Sequence, residues 1–287
     1  VAVSYFTHAF NMTTANHSLH FAFIGGGNMA SAIIGGLLKE GIQSHQIDVV
    51  EPFAETADKL KHQWNILALP AASDRLTKAT LVIWAVKPQV FSEAAAPVKP
   101  FTGNALHLSV AAGIRTNSIA SWLGSDRIVR CMPNTPALVG KGMTALYARP
   151  QVSEAEKSLV EQVIRSTGEF LWVEAEKQLD AVTALSGSGP AYVFYFLEAM
   201  TQAGIGMGLS EAQAYRLAVA TFAGASELAR ASDEPAQVLR QRVTSKGGTT
   251  YAAITAMENA GIKAAFIAAM QAAEQRAGEL GDEFGKA

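Results

Sequence analysis

Three consecutive glycines, Gly25, Gly26 and Gly27, separate the apolar run FAFI from the helix-like run NMASAIIGGLLKEG. The run before them has the length and apolar character of a buried strand. The run after them repeats its large apolar residues at helical spacing. A strand that passes into a helix through glycine is one unit of a parallel sheet covered by helices. The unit recurs along the chain: IDVV (47–50), ILAL (66–69), LVIWAV (81–86), ALHLSV (105–110) and RIVRCM (127–132) are short β-rich runs, with helix-period segments such as ETADKLKHQW between them. Nearly continuous apolar strands imply burial on both faces, hence a doubly wound parallel sheet. GMTALYA (142–148) and GEFLWVE (168–174) extend it at the far edge, and Ser153 and Glu156 between them have the spacing of a capping box.

Strand signals stop near Asp180, and the chain becomes rich in Ala, Met and Leu at helical period. The expected fold is α/β: an N-terminal Rossmann-type doubly wound sheet over 20–177, followed by an all-α dimerisation domain over 178–287. AYVFYFLEAMTQAGIGMG and EAQAYRLAVATFAGASELARA are apolar around most of their circumference, so a second copy of the chain is expected to cover them. Residues 1–19 read as a loose leader, because they have neither the basic start nor the apolar core of a secretory signal.

Composition narrows the partners. A formal net charge of −2 without a basic block speaks against nucleic acid and anionic membranes, and no run has the length of a bilayer span, so the expected location is the cytoplasm. Cys131 is the only cysteine, which rules out a disulfide within this chain and a thiolate metal cluster. His8, His17, His20, His45, His62 and His107 lack ligand spacing, so no metal is expected.

Residues 25–30, GGGNMA, fit G-x-G-x-x-[GA]. Gly25 allows the tight turn, Gly27 lets the backbone approach a pyrophosphate, and Ala30 keeps helix and strand close. Glu51 ends the next strand, about twenty residues on, where a carboxylate accepts from a ribose 2′-hydroxyl and repels a 2′-phosphate. No arginine follows in EPFAET, so NADH is favoured over NADPH. The competing reading makes the glycines mere punctuation and leaves Glu51 facing solvent, with Lys59 or Lys61 able to reach a phosphate. Two polar, glycine-rich interruptions, LSGSGPAY (185–192) and VTSKGGTT (243–250), offer amides and hydroxyls to a small carboxylate. Alternatively they are helix starts, with Ser186 or Ser188 capping ahead of Pro190, and Thr249 or Thr250 capping the later helix.

Together GGGNMA, AVKPQ (85–89), SVAAGI (109–114), RCMPNTPALVGKG (130–142), DAVTALSGSGPAYV (180–193) and VTSKGGTT resemble the pyrroline-5-carboxylate reductase family, in order and spacing, across residues 21–280. The resemblance implies reduction of 1-pyrroline-5-carboxylate to L-proline, with NADH or NADPH as hydride donor, by a homodimer or a larger ring of dimers. It also implies roles for individual residues. Ile24, Gly25, Gly26, Gly27, Asn28 and Met29 would hold the pyrophosphate, with Glu51 and Ser73 by the adenosine end. Ala85, Val86, Lys87, Pro88 and Ala112 would line the nicotinamide, and Arg242 would approach the coenzyme from a neighbouring subunit. Ser245, Gly248, Thr249 and Thr250 would hold the substrate's carboxylate and ring nitrogen, with Glu176 nearby and Thr250 as the catalytic hydroxyl. Lys246 departs from the pattern, since the family commonly has proline there. Two other readings stand beside this one. One is a reductase of the same plan acting on a different imine or a β-hydroxyacid, although no Lys-x-x-x-Asn signature follows the sheet. The other is a non-catalytic nicotinamide-binding redox sensor.

Overall fold

The computed structural model describes residues 19–285; residues 1–18 of the expected leader lie outside the described part. Seven strands form one sheet in the order β2-β1-β3-β4-β5-β6-β7. They are β1 (Phe21–Ile24), β2 (Ile47–Val50), β3 (Leu81–Trp84), β4 (Leu106–Ser109), β5 (Ile128–Met132), β6 (Gly142–Ala148) and β7 (Gly168–Trp172). β1 to β5 pair in parallel as expected. β6 corrects the all-parallel expectation, because it runs antiparallel to β5, and β7 then pairs parallel to β6. The connection from Met132 to Gly142 holds only a short 3-10 turn at Thr135–Val139, too little chain for a parallel crossover. The β6–β7 connection contains a full helix and does return the chain in parallel.

ILAL (66–69) is a second correction. It forms no strand, and only Leu69 makes an isolated bridge, to Val50. Asn65 ahead of it sits in the left-handed region at φ 54°, and Pro70 follows directly, so the apolar run is held to one extended stretch.

Five helices accompany the strands: α1 (Asn28–Lys39), α2 (Ala54–Trp64), α3 (Phe91–Val98), α4 (Thr116–Leu123) and α5 (Glu154–Arg165). Side chains of β1 alternate between two cores. Phe21 and Phe23 pack with Ile33, Ile34 and Leu37 of α1 and Val160, Val163 and Ile164 of α5. Ala22 and Ile24 pack with Trp84, Phe91 and Ile119 on the opposite face. Fully burying each large apolar side chain contributes about 1.5–3 kcal/mol, which makes this central strand the anchor of both layers. Trp84 stacks on Phe91 at 4.7 Å between ring centroids, and its Nε1 donates to Nδ1 of the buried His107 at 3.2 Å. The capping box at α5 is formed: Ser153 Oγ accepts from the Glu156 amide, and the Glu156 carboxylate accepts from the Ser153 amide at 2.8 Å.

The remaining chain is helical: α6 (Gln178–Val182), a π turn at Thr183–Gly187, α7 (Gly189–Gly206), α8 (Glu211–Arg230), α9 (Ala236–Arg242), α10 (Thr249–Asn259) and α11 (Ile262–Phe284). The chain divides into two compact units, one running to Gly187 and resuming at Glu274, the other spanning Ser188–Ala273. Within the second unit, Gly204 of α7 lies so close to α8 that an added Cβ would stand 2.7 Å from the Ala214 Cβ. Tyr192 and Phe196 meet Phe266 edge-on at 5.7 Å. Phe194, Tyr195, Tyr215, Leu217 and Leu228 of α7 and α8 are exposed, as all-round apolar helices require of an uncovered chain. Among the described residues, no helix is long and apolar enough to cross a membrane.

Candidate active site

The strand order changes direction between β1 and β3, and the glycine turn lies at that point, outside the carboxyl ends of the strands where α/β sheets bind ligands. The Gly25 amide donates to Val50 O at 2.9 Å, and the Ala85 amide donates to Ile24 O at 2.8 Å, so the ends of β1, β2 and β3 are tied together there. The three glycines serve different needs. Gly25 has φ +93°, and an added Cβ would lie 2.7 Å from Ala85 O. At Gly26 a Cβ would lie 2.7 Å from Leu60 Cδ1. Gly27 is exposed, and a Cβ there would meet nothing within 4 Å. Conformation and backbone contact therefore demand Gly25, Gly26 is tight against the end of the Leu60 side chain, and Gly27 borders open space.

The start of α1 agrees with that reading. Gly27 is its N-cap, no side chain caps it, and no acidic residue stands in its first turn, so amides following Asn28 remain directed outward beside Met29. Ala30 is fully buried and lets the helix lie close to the sheet. Ser73 adds an independent sign, because its Oγ is buried and has no hydrogen-bond partner. A pyrophosphate against the turn and an adenosine hydroxyl or ring nitrogen near Ser73 would satisfy these groups.

Glu51 has a further task that its sequence position does not reveal. Its buried carboxylate accepts from the Gly26 amide at 2.8 Å and from the Phe53 amide at 2.9 Å. Each oxygen retains a second lone pair for a ribose hydroxyl, but the first duty of this side chain is to hold the glycine turn. It does not simply face solvent. Lys59 is engaged with Glu55 at 2.7 Å on the surface of α2.

Beyond β3, Ala85 and Val86 lie beside Gly25, and Lys87 is exposed ahead of the short turn that Pro88 begins. Beyond β4, Ala112 is partly buried, and the bend continues through Gly113 at φ +73°. Glu176, expected near the substrate, accepts hydrogen bonds within the first unit. Its Oε1 accepts from the Thr116 amide at 2.7 Å and from Arg130 Nη1 at 3.1 Å, and its Oε2 accepts from Thr116 Oγ1 at 2.7 Å. Burial lowers the pKa of Arg130 from its ordinary value, and Glu176 opposes that shift. Donors from two other elements thus surround this carboxylate. Arg115, Thr116, Arg130 and Asp180 were unassigned in the sequence, though a charge inside runs as apolar as RIVRCM and DAVTAL was a signal that it has a buried partner.

The SGSG segment also departs from the capping alternative. Asn134 Nδ2 donates to Ser186 O and Oγ at 3.3 and 3.2 Å, while Asn134 Oδ1 accepts from the Met143 amide at 2.9 Å. Ser188 holds the N-cap position of α7 without a side-chain bond to it, and Pro190 stands in the first turn. In the second unit, Gly247 has φ +78°, and Gly248, not a threonine, is the N-cap of α10. The Gly248 amide donates to Ser245 O at 3.0 Å, and a Cβ on Gly248 would lie 2.7 Å from Ser245 Oγ. Thr249 and Thr250 are the first two helical residues, so neither hydroxyl serves as the cap, and no acid stands in that turn. Arg242 is paired with Glu234 at 2.6 Å inside its own unit.

The structure thus holds a glycine turn at the switch point of the sheet and a second glycine-capped helix start at α10. Residues 176–280 match the family model for pyrroline-5-carboxylate reductase dimerisation, and residues 20–113 match that for coenzyme F420-dependent NADP oxidoreductases. A pyrroline-5-carboxylate reductase of Pseudomonas aeruginosa is 44% identical over 271 residues, covering 92% of this chain and 98% of its own length. The chain belongs to the pyrroline-5-carboxylate reductase family. Among solved structures, the pyrroline-5-carboxylate reductase of Coxiella burnetii matches with a TM-score of 0.84 at 37% identity, over 92% of this chain and 98% of that one. The Plasmodium falciparum pyrroline carboxylate reductase, solved with NADP bound, matches with a TM-score of 0.82 at 28% identity over the same shares. As a pyrroline-5-carboxylate reductase family member, the chain has a dimerisation match that covers the whole second unit, which accounts for the exposed aromatic and leucine side chains of α7 and α8.

Proposed function

We propose that this protein reduces 1-pyrroline-5-carboxylate to L-proline with a nicotinamide coenzyme, the last step of proline synthesis, and that it works as a homodimer. The observation that carries the reading is the open space beside Gly27 at the glycine turn, in a chain 44% identical over 271 residues, 92% of its length, to a pyrroline-5-carboxylate reductase. When bound, the coenzyme supplies the hydride. The chain's own groups do the rest. Amides from Gly27 to Met29 hold the pyrophosphate, and Ser73 Oγ gains a partner at the adenosine end. Ala85, Val86, Pro88 and Ala112 form an apolar wall that orients the nicotinamide and excludes water. Ser245, Gly248 and Thr249 hold the substrate carboxylate by amides and hydroxyls at the start of α10.

A protonated cyclic imine is already an electrophile. It takes the hydride at its C=N carbon, and the nitrogen keeps the π electron pair as its lone pair. No strong acid is needed, and positioning provides most of the acceleration. Thr250 Oγ1 accepts from the iminium N–H before the transfer and can donate to the new amine lone pair after it. Lys87, exposed before its turn, is left to the coenzyme side. Thr250→Ala is expected to lower kcat about tenfold, the worth of one hydrogen bond, and to leave the Kd for the coenzyme unchanged. Equal losses in both would assign Thr250 to folding instead.

Loss of absorbance at 340 nm tests the main reading. Sustained oxidation of coenzyme with pyrroline-5-carboxylate supports it; tight coenzyme binding without turnover would favour a redox sensor. For the coenzyme, we infer a preference for NADH, supported by the fixed Glu51 carboxylate and the lack of a cation from Pro52 to Thr56. Glu51→Gln keeps one acceptor oxygen and removes the charge. The ratio of kcat/KM for NADH over NADPH is expected to fall about tenfold in that variant, and an unchanged ratio would refute the inference.

A further inference from the structure

Six polar side chains form one cluster in the first unit. Thr116 gives Glu176 both its amide and its hydroxyl at 2.7 Å, and Arg130 donates to the same carboxylate at 3.1 Å. Arg115 grips both oxygens of Asp180, at 3.1 and 2.8 Å, and Arg149 Nη1 reaches Thr116 Oγ1 at 3.4 Å. The side chains of Arg130 and Asp180 are 2% and 6% exposed, and that of Glu176 is 18% exposed.

Stability alone does not explain this arrangement, because well-packed apolar side chains usually hold buried elements as firmly as buried ion pairs do. What a two-pronged arginine–carboxylate pair adds is direction. The element it directs is the stretch from Val110 to Thr116. At its start, the Val110 amide is tied to Trp84 O and the Ala111 amide to Ser109 Oγ. At its end, it is tied to Glu176 and Asp180. Between the ties lie Ala112 and the left-handed Gly113, against which Leu280 and Phe284 press at 3.2 and 3.3 Å from the position a Cβ would take. Glu176 and Asp180 stand just ahead of and within α6, and Glu176 is anchored to the sheet through Arg130 of β5.

We propose that Glu176 and Asp180 are positioning residues of the reduction: by clasping Thr116 and Arg115 they fix the Val110–Thr116 bend, and with it the wall that Ala112 offers to the nicotinamide. The proposal rests on the reductase reading above. It gives Glu176 a role in catalysis without contact to substrate, and it extends that role to Asp180.

The test uses the full chain with Glu176→Gln and Asp180→Asn, assayed with NADH and pyrroline-5-carboxylate. The Kd for NADH, from fluorescence titration, is expected to stay within about threefold of the parent, because the pyrophosphate grip lies elsewhere. The kcat is expected to fall about tenfold or more, since small displacements of a reacting ring are costly. The kinetic isotope effect with NADH deuterated at the transferring position should rise as hydride transfer becomes slower. Ser153→Ala, which weakens the distant α5 cap, serves as the control for stability alone and should leave kcat unaltered. Should either carboxamide variant fail to unfold cooperatively in urea, Arg115→Lys carries the same expectation, since it keeps the charge and loses the two-pronged geometry. A kcat and isotope effect like the parent's, or a kcat that falls only with the folded fraction, would overturn the clasp while leaving the reductase reading intact. An inactive parent protein would overturn both.

Discussion

Valine in place of Gly27 is expected to lower the affinity for nicotinamide coenzyme about a hundredfold while leaving the fold nearly as stable as before. Gly27 has φ −68° and ψ −168°, a conformation open to any residue, and an added Cβ would touch nothing in the chain. Exchanging glycine for valine at an exposed N-cap costs about 1 kcal/mol or less. A ligand pressed against that backbone would lose far more, because overpacking costs about 1–3 kcal/mol before any lost hydrogen bonds to the nearby amides are counted. Gly25→Ala should do the opposite. It forces a side chain into φ +93° and against Ala85 O, so the protein itself should lose about 1–3 kcal/mol or more. Coenzyme titration followed by urea unfolding separates the two effects. If Gly27→Val bound coenzyme like the parent, the turn would not be the pyrophosphate site.

Acidification from pH 7 to 4 is expected to remove about 3 kcal/mol of stability through His107 alone. Burial, with a smaller contribution from Arg127, pushes this imidazole down to about 4 from its ordinary 6.5. Its Nδ1 accepts from Trp84 Nε1, which also requires the neutral ring. The sign follows from proton linkage. The unfolded chain takes up the proton near pH 6.5 and the folded one only near 4, so the stabilisation is complete above 6.5 and is lost as the pH falls through that window. A difference of about 2.5 at about 1.4 kcal/mol per pH unit amounts to about 3.5 kcal/mol in full, of which about 3 is lost by pH 4, where the folded ring is half protonated. His107→Gln retains an acceptor for Trp84 and cannot titrate. The gap in unfolding free energy between parent and variant should therefore narrow as the solution is acidified, and parallel curves would refute the assignment.

Much of the first unit was legible because continuous apolar runs and glycine punctuation have few other solutions. β1 to β7 lie where such runs stand, and the capping box at Ser153 was visible from its spacing. ILAL misled because apolar character alone does not report pairing; Asn65 and Pro70 on either side restrict the run to a single bridge. The reversal of β6 was hidden in the length of a connection. Sites were harder to read for a related reason. A sequence displays a carboxylate without its donors, so neither the Gly26 amide that Glu51 accepts from nor the Thr116 and Arg130 donors around Glu176 could be read from it. Capping by the threonines that open α10 was the alternative reading, but Gly248 takes the cap position. The three adjacent glycines were indistinguishable as letters, and only their surroundings show that Gly27 alone is dispensable to packing.

The tie between Glu51 and the glycine turn bears on any attempt to re-engineer coenzyme choice. Deleting the acid to welcome a 2′-phosphate would also slacken the loop that grips the diphosphate, so a gain in selectivity would arrive with weaker binding of both nucleotides. A basic residue grafted between Pro52 and Thr56, with Glu51 retained, would change the preference and leave that grip intact.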